Sequence, residues 1–507
     1  MFFPLTVRDF LDRAEDVYPD RLAIVDEPDQ PAESLGELTY RELATLARAQ
    51  AARLDALGVP VGGRVAIISH NSARLFTSFF GVSGWGRILV PINFRLSAGE
   101  VRYIVEHSGA SVLYVDPALK DVLDIVDVEH KFVLGDDDAL FARDAKPLEW
   151  AEPDENATAT INYTSGTTAR PKGVQLTHRN VWLNATVFGL HTSISDRDVL
   201  LHTLPMFHCN GWGMPYGVTG VGGTHVVLRR VEGTEILRRV EQHGVTMMCA
   251  APAVVNAALD GAASWHGPIP GRDRVRIIVA GAPPPTRTIE RVLTDLGWEF
   301  IQIYGLTETA PLLTINRQRA EWDALPPAER ARRLVRAGAP ALGVRLDVDI
   351  DGEVLAQSNH NLAGYWQQPD ATAAVMAGGW FHTGDGGYLD DGYLSISDRK
   401  KDVIISGGEN VSSIEVEDVI TSHPAVREVA VIGIPDRKWG ELVTALVVAN
   451  GGVTAEEIIT HCHGSLAGFK CPKRVEFVDS LPRTATGKLQ KFKLREPYWA
   501  GQERQVH

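Results

Sequence analysis

The sequence predicts an α/β protein: a large N-terminal domain of doubly wound mixed sheets, a small β-rich subdomain, and a small α+β C-terminal domain. Three observations lead there. Short β-rich runs alternate with amphipathic helical stretches between Arg64 and Ile303, the pattern of strands joined by covering helices. After Pro340 the texture changes to short strands and turns, as in ALGVRLDVDIDGEVL. A basic run, Asp398-Arg399-Lys400-Lys401-Asp402, then precedes a tail long enough for a core of its own. The boundaries fall at 1–397 and 403–507, with 398–402 as the connector.

The elements follow in order. Arg64–Ser69 (RVAIIS) reads as a strand, Glu100–His107 as a helix, and Ser111–Val115 as the next strand. Thr158–Tyr163 is a strand, followed by a polar loop and a helix from about His178, with Thr177 as its N-cap. Val275–Ala280 and Phe300–Ile303 are strands with helical Thr286–Leu296 between them. The charged segment Arg317–Arg336 reads as a solvated, helix-prone excursion. In the tail, Val429–Ile434 and Val475–Val478 read as strands and Ala455–His461 as a helix. Ligands of such folds sit beyond the carboxyl ends of the strands, so the loops there are searched first.

Composition narrows the function. The 507 residues carry 50 basic and 64 acidic side chains, a net charge of −14, which argues against a nucleic-acid scaffold. Four cysteines in so long a chain form no disulfide framework and fit a reducing compartment. The N-terminus lacks a basic region followed by an apolar one, and no uncharged run approaches the ~18 residues of a spanning helix. The expectation is a cytoplasmic protein without stable membrane insertion. His461-Cys462-His463 with Cys471 matches no usual zinc spacing.

The sharpest motif is Thr164-Ser165-Gly166-Thr167-Thr168-Ala169-Arg170-Pro171-Lys172-Gly173, after a predicted strand. Hydroxyls, small residues and a lysine suit phosphate oxygens. It is not a Walker A loop, because Pro171 and Gly173 break that spacing. Tyr304-Gly305-Leu306-Thr307-Glu308-Thr309 follows another strand. Its tyrosine can stack on a base, and its glutamate can help hold Mg²⁺. His382-Thr383-Gly384-Asp385 offers a carboxylate to ribose hydroxyls. Pro482-Arg483-Thr484-Ala485-Thr486-Gly487-Lys488 places a lysine on a Gly/Thr loop. Singly, the last three read as turns or ordinary surface residues.

In this order the four motifs resemble the adenylate-forming superfamily of acyl-CoA synthetases, adenylation domains and beetle luciferases, from Tyr18-Pro19-Asp20-Arg21 to Lys488-Leu489-Gln490-Lys491-Phe492. Ala169 stands where most members carry Gly. The resemblance implies that Thr164, Ser165, Gly166, Thr167, Thr168 and Lys172 belong to the loop holding the ATP β- and γ-phosphates. Gly281, Ala282, Pro283 and Tyr304 would line the adenine. Thr307 would contact the α-phosphate and Glu308 the Mg²⁺. Asp385 and Arg399 would reach the ribose. Lys401 would be the hinge about which a mobile C-terminal domain turns. Lys488 would bridge the substrate carboxylate and the α-phosphate.

A narrower resemblance, to short-, medium- and long-chain fatty acyl-CoA synthetases, rests on Ser406-Gly407-Gly408-Glu409-Asn410 and on Pro205-Met206-Phe207-His208-Cys209-Asn210-Gly211-Trp212. It implies that Gly407, Gly408 and Glu409 meet the pantetheine arm of coenzyme A. His208 stands where amino-acid-activating domains carry Asp, which argues against an α-amino acid. Trp212 falls where long-chain members have a gating indole, and reads equally as a core aromatic. Thr219, Gly220 and Gly222 are expected to line the acyl pocket, small residues leaving room for a chain.

The implied activity is ATP-dependent fatty acyl-CoA synthesis, with ATP, Mg²⁺ and coenzyme A, favouring a medium- to long-chain acid. The alternatives are a ligase for an aryl or thioether acid, or an acyl-AMP ligase loading a carrier protein. A homodimer is compatible with the sequence. A binding protein that has lost catalysis is disfavoured by the presence of Glu308, Asp385 and Lys488.

Overall fold

The computed structural model describes residues 1–136, 140–143, 145–164, 171–281, 284–399, 402–407, 409–483 and 489–500, with Asp398 and Arg399 described by their backbone alone. Two large sheets dominate the described residues. One runs, in spatial order, through Ala339–Pro340, Leu312–Asn316, Glu299–Gly305, Arg276–Val279, Met247–Ala250, Val199–His202, Thr224–Val227, Leu22–Val25 and Glu37–Thr39. The other runs through Gly364–Tyr365, Lys172–Thr177, Thr158–Thr164, Ile88–Ile92, Arg64–Ile68, Val112–Val115 and His130–Val133. Both are parallel at their centres and antiparallel towards one or both edges, the mixed sheets expected.

Strand alternation builds the core. In Arg64–Ile68, Val65 and Ile67 face a cluster shared with Phe76, Phe79, Phe80, Leu200 and Met247, so both sheets contribute to it. Ala66 and Ile68 face the other way, onto Ile104 and Val105 of the helix Ala98–Ser108. That helix starts at a reciprocal Ser97–Glu100 capping box. The strands Val344–Val348, Glu353–Ser358, Phe381–Asp390 and Tyr393–Arg399 form the antiparallel subdomain. The tail builds a separate sheet from Glu409–Val411, Ile404–Ser406, Gly440–Ala449 and Val426–Asp436, with Arg474–Phe477 paired parallel to Gly440–Ala449.

Two expectations need correction. The phosphate motif does not run from a strand straight into a helix. Lys172–Thr177 is itself a strand, antiparallel to Thr158–Thr164, and the helix His178–Thr192 follows only after it. The helix N-terminus therefore does not sit on the loop. Nor is Arg317–Arg336 merely solvated. It buries Trp322, Ala331 and Leu334 against the core, with the Arg319 and Arg333 guanidinium groups 6.0 and 5.6 Å from the Trp322 ring.

The tail touches the larger part of the chain through Asp418. Its carboxylate accepts hydrogen bonds from the Thr286 backbone N–H at 2.8 Å and the Thr286 hydroxyl at 3.2 Å. Arg287 donates to the Ser422 carbonyl at 3.4 Å. Among the described residues no helix is long and apolar enough to cross a membrane, and no group of three or more His, Cys, Asp or Glu could hold a metal ion.

Candidate active site

Thr164, Gly281, Tyr304, Thr307 and Glu308 lie at or just beyond the carboxyl ends of strands of the two large sheets. Thr164 and Lys172 lie directly opposite each other at the base of the phosphate-loop hairpin. Ser165, Gly166, Thr167 and Thr168 fall outside the described residues. The strand pair Gly364–Tyr365 extends this sheet edge, placing Tyr365 opposite Val174. Tyr365 donates its hydroxyl to the Glu308 carboxylate at 3.0 Å, and the Lys172 ammonium lies 4.8 Å from the Tyr365 ring centroid. Burial, then the Glu308 charge, pushes the Tyr365 phenol up, so it stays protonated and donating. A lysine of the phosphate loop and a carboxylate of the Tyr304–Thr309 motif thus share one tyrosine.

Glu308 is a hard oxygen donor, half-buried at a strand end. Its carboxylate is oriented by the Tyr365 hydroxyl. That chemistry fits Mg²⁺. Tyr304 precedes it and donates its hydroxyl to Asp385 at 2.9 Å. Asp385 is buried, and Thr383 holds its backbone N–H at 3.1 Å. The backbone of Arg399 lies opposite Asp385 across the antiparallel pair. Gly281 follows the strand next to that of Tyr304, so both project from the same edge. Ala282 and Pro283 lie outside the described residues.

His208 opens an unusual turn. Cys209, Asn210, Gly211, Trp212 and Gly213 all have positive φ, from 46° to 81°. Non-glycine residues enter that region at a cost of about 1–2 kcal/mol each, so neighbours must hold them there. They do. Asn210 closes a ring with two strand residues. Asn162 donates to Asn210 at 3.0 Å, Asn210 to Thr160 at 2.9 Å, and Thr160 to Asn162 at 2.9 Å. Asn184 donates to the Trp212 carbonyl at 3.2 Å, and the Cys209 thiol reaches the Thr307 carbonyl at 3.9 Å. The turn is fastened to the phosphate-loop strand on one side and to Thr307 on the other. His208 is half-buried at its start.

Thr219 and Gly220 lie in the helix Met214–Val221, and Gly222 caps its C-terminus. Thr219 is fully buried and hydrogen-bonded to His225 at 3.0 Å, which in turn meets His202 at 3.0 Å. A Cβ on Gly220 would come within 2.5 Å of the Phe10 ring, and one on Gly222 would strike Tyr18. The small residues leave room, but the N-terminal helix Arg8–Val17 and the Tyr18 that follows it fill it. Trp212 is 4% exposed and packs in the main core.

In the tail, Gly407 has φ of +65°, donates its N–H to the Trp439 carbonyl at 2.7 Å, and lies under the Trp439 ring. Glu409 is exposed in the adjoining strand. Gly408, Lys401 and Lys488 fall outside the described residues. Sequence reasoning missed Tyr365 and the Thr160–Asn162–Asn210 ring. Neither has a local signal, since each acts through a partner far along the chain.

Such a site defines a class. A lysine and a carboxylate sharing Tyr365, and an acidic residue tied to Tyr304, are groups that a nucleotide-dependent ligase would need. Residues 11–366 match the AMP-binding enzyme family, and residues 415–488 match the AMP-binding enzyme C-terminal domain. The chain is 38% identical to 4-hydroxybutyrate–CoA ligase 2 of Metallosphaera sedula, over 96% of this chain and 93% of that one. It superposes on the anthranilate CoA ligase AuaEII in complex with anthranoyl-AMP with a TM-score of 0.87, 28% identity and 98% coverage of both chains. It also superposes on o-succinylbenzoate coenzyme A synthetase (MenE) from Bacillus subtilis with ATP and magnesium, with a TM-score of 0.81, 30% identity, and coverage of 96% of this chain and 99% of that one. The chain belongs to the AMP-binding enzyme family of adenylate-forming acid–thiol ligases.

Proposed function

We propose that this ligase activates a short-chain or aryl carboxylic acid and transfers it to coenzyme A, with ATP as co-substrate and Mg²⁺ as cofactor. In the first half-reaction a carboxylate oxygen attacks the α-phosphorus of ATP, and pyrophosphate leaves with the electron pair of the broken P–O bond. In the second the thiol sulfur attacks the acyl carbonyl, and AMP leaves.

The residues take the following roles. The hairpin loop from Thr164 to Lys172 holds the β- and γ-phosphates, and Lys172 supplies charge there. Glu308 would hold Mg²⁺, which when bound neutralises phosphate charge. Thr307 orients the α-phosphate. Tyr304, Gly281 and its neighbours receive the adenine, and Asp385 with Arg399 the ribose. His208 faces the acid. Lys488 bridges the acid and the α-phosphate during the first step only. The tail, turning about Lys401, then brings the Gly407–Glu409 turn to the thiol. One site cannot hold both partners at once, so a moving domain resolves the conflict.

What supports the acid assignment is the size of the acids in the names of its relatives, such as the 2-methylpropanoate–CoA ligase of Humulus lupulus, 36% identical. The relatives named for 4-hydroxybutyrate and anthranilate agree in scale. Pyrophosphate release should be measured with Mg²⁺, ATP and a series running from acetate through benzoate to palmitate, with coenzyme A and then a phosphopantetheinyl carrier as acceptor. We expect short and aryl acids with coenzyme A to give the highest kcat/KM. A maximum at palmitate would restore the long-chain reading, and a preference for the carrier would overturn the acceptor.

A further inference from the structure

His208 stands at the head of the left-handed turn, and side chains from elsewhere hold its neighbours in the chain. Asn71, just beyond the strand Arg64–Ile68, accepts the Met206 backbone N–H at 2.8 Å. Asn162 donates to the Phe207 carbonyl at 3.4 Å and to the Asn210 side-chain oxygen at 3.0 Å. One amide thus grips the chain on both sides of His208. Asn210 donates in turn to Thr160 at 2.9 Å, and Thr160 closes the ring on Asn162 at 2.9 Å. All three residues are buried, at most 2% exposed. Each amide uses both its oxygen and its nitrogen within the ring, so turning either over would set like atoms against each other. A closed polar network of this kind, shut away from water, is rigid.

The ring joins two elements of unequal firmness. Thr160 and Asn162 lie on the strand Thr158–Thr164, which pairs with Lys172–Thr177 on one side and with Ile88–Ile92 on the other. Residues 209–213 make no such ladder among the described residues, and their backbone conformation is a costly one. The strand is therefore the fixed member and the turn the placed one. The same strand ends at Thr164, at the base of the hairpin assigned to the phosphates. Attack by a carboxylate oxygen needs the reacting atoms about 3–3.5 Å apart. We propose that Thr160, Asn162 and Asn210 set the distance between the acid and the α-phosphate, by fixing His208 relative to the strand of the phosphate hairpin. They are positioning residues that act through His208. The inference rests on the proposed role of His208 in facing the acid.

The test is a set of double-mutant cycles with His208→Ala, read as steady-state pyrophosphate release with coenzyme A at varied acid and at varied ATP. Thr160→Val removes the hydroxyl at nearly constant volume, and Thr160→Ser keeps it. Asn210→Gly removes the amide and suits the φ of 52° at that position. Each is made in the parent and in His208→Ala. A misplacement of about 1 Å can cost roughly 10²-fold. We therefore expect Thr160→Val and Asn210→Gly to lower kcat/KM for the acid by about 10- to 100-fold, with KM for ATP within about twofold of the parent. Thr160→Ser should stay within about threefold. In His208→Ala the same substitutions should cost less than about twofold more, because the group they place is gone. Equal losses in the two backgrounds, a rise in KM for ATP as large as the loss for the acid, or variants that handle the acid normally would each overturn the proposal. Urea midpoints check that the variants fold, and if Thr160→Val does not, Asn210→Gly carries the cycle. Should His208→Ala itself leave kcat/KM for the acid unchanged, the reading of His208 falls and the ring's role with it, and that reference tells the two failures apart.

Discussion

At the scale of single residues, Gly220 and Gly222 are fitted closely to their neighbours. A glycine-rich stretch near a substrate site suggests space. Here Phe10 takes the place of a Cβ at Gly220, and Tyr18 does so at Gly222, whose φ of +83° already favours glycine. Gly220→Ala should therefore act on packing. Forcing a methyl into filled space costs about 1–3 kcal/mol. We expect a lower Tm in a thermal melt, with the order of acid preference unchanged. A changed preference with an unchanged Tm would return the position to the acyl pocket. Tyr365 illustrates the opposite case. Nothing in Gly-Tyr-Trp announces a role, yet strand pairing delivers its hydroxyl to Glu308.

At the scale of elements, local rules were read well and pairings were not. The strand Thr158–Thr164 alternates, and Thr177 caps the helix His178–Thr192 through a capping box with Asn180. Both signals lie within a few residues of one another. The capping predicts a measurable effect. Thr177→Ala should lower stability by about 1 kcal/mol, seen as a shift of the urea midpoint at constant m. An unchanged midpoint would mean that tertiary packing alone sets the helix start. The strand Lys172–Thr177 has no signal of its own in the sequence, because its identity comes from its antiparallel partner Thr158–Thr164. The helix Pro327–Leu334 hid its buried face beneath arginines, whose stems cover apolar surface while their charges reach water. The motifs around Thr164, Tyr304 and Asp385 stand out in the sequence, but their contacts through Tyr365 and the Thr160–Asn162–Asn210 ring do not, because each joins residues distant along the chain.

At the scale of the whole molecule, buried histidines tie stability to pH. Burial lowers His178 to about 4 and His202 to about 3, and holds His225 well down, the neighbouring His202 adding to the effect. In the unfolded chain each would titrate near about 6.5. Between those values the unfolded state binds more protons, so stability rises with pH. The contribution is fully present above about 6.5 and is lost progressively as pH falls towards 4. Urea midpoints measured from pH 4.5 to 7.5 should increase. The increase should be smaller in His178→Asn, which removes one of the buried imidazoles. An identical pH slope in that variant would assign the effect to carboxylates instead. The same scale shows the fold's division of labour. The two large sheets share one core, while the tail keeps its own and meets the larger part of the chain through Asp418 and Thr286.

The left-handed turn from Cys209 to Gly213 has a consequence for anyone seeking to retarget the enzyme. It lies beside His208, where a library aimed at new acids would naturally be placed. Yet its alphabet is narrow. Glycine and asparagine enter this backbone region easily, whereas valine, isoleucine and threonine resist it. Randomising all five positions would spend most clones on chains that cannot close the turn. Diversity is better placed around the turn but outside the Thr160–Asn162–Asn210 ring, where side chains can change while the backbone keeps its hand.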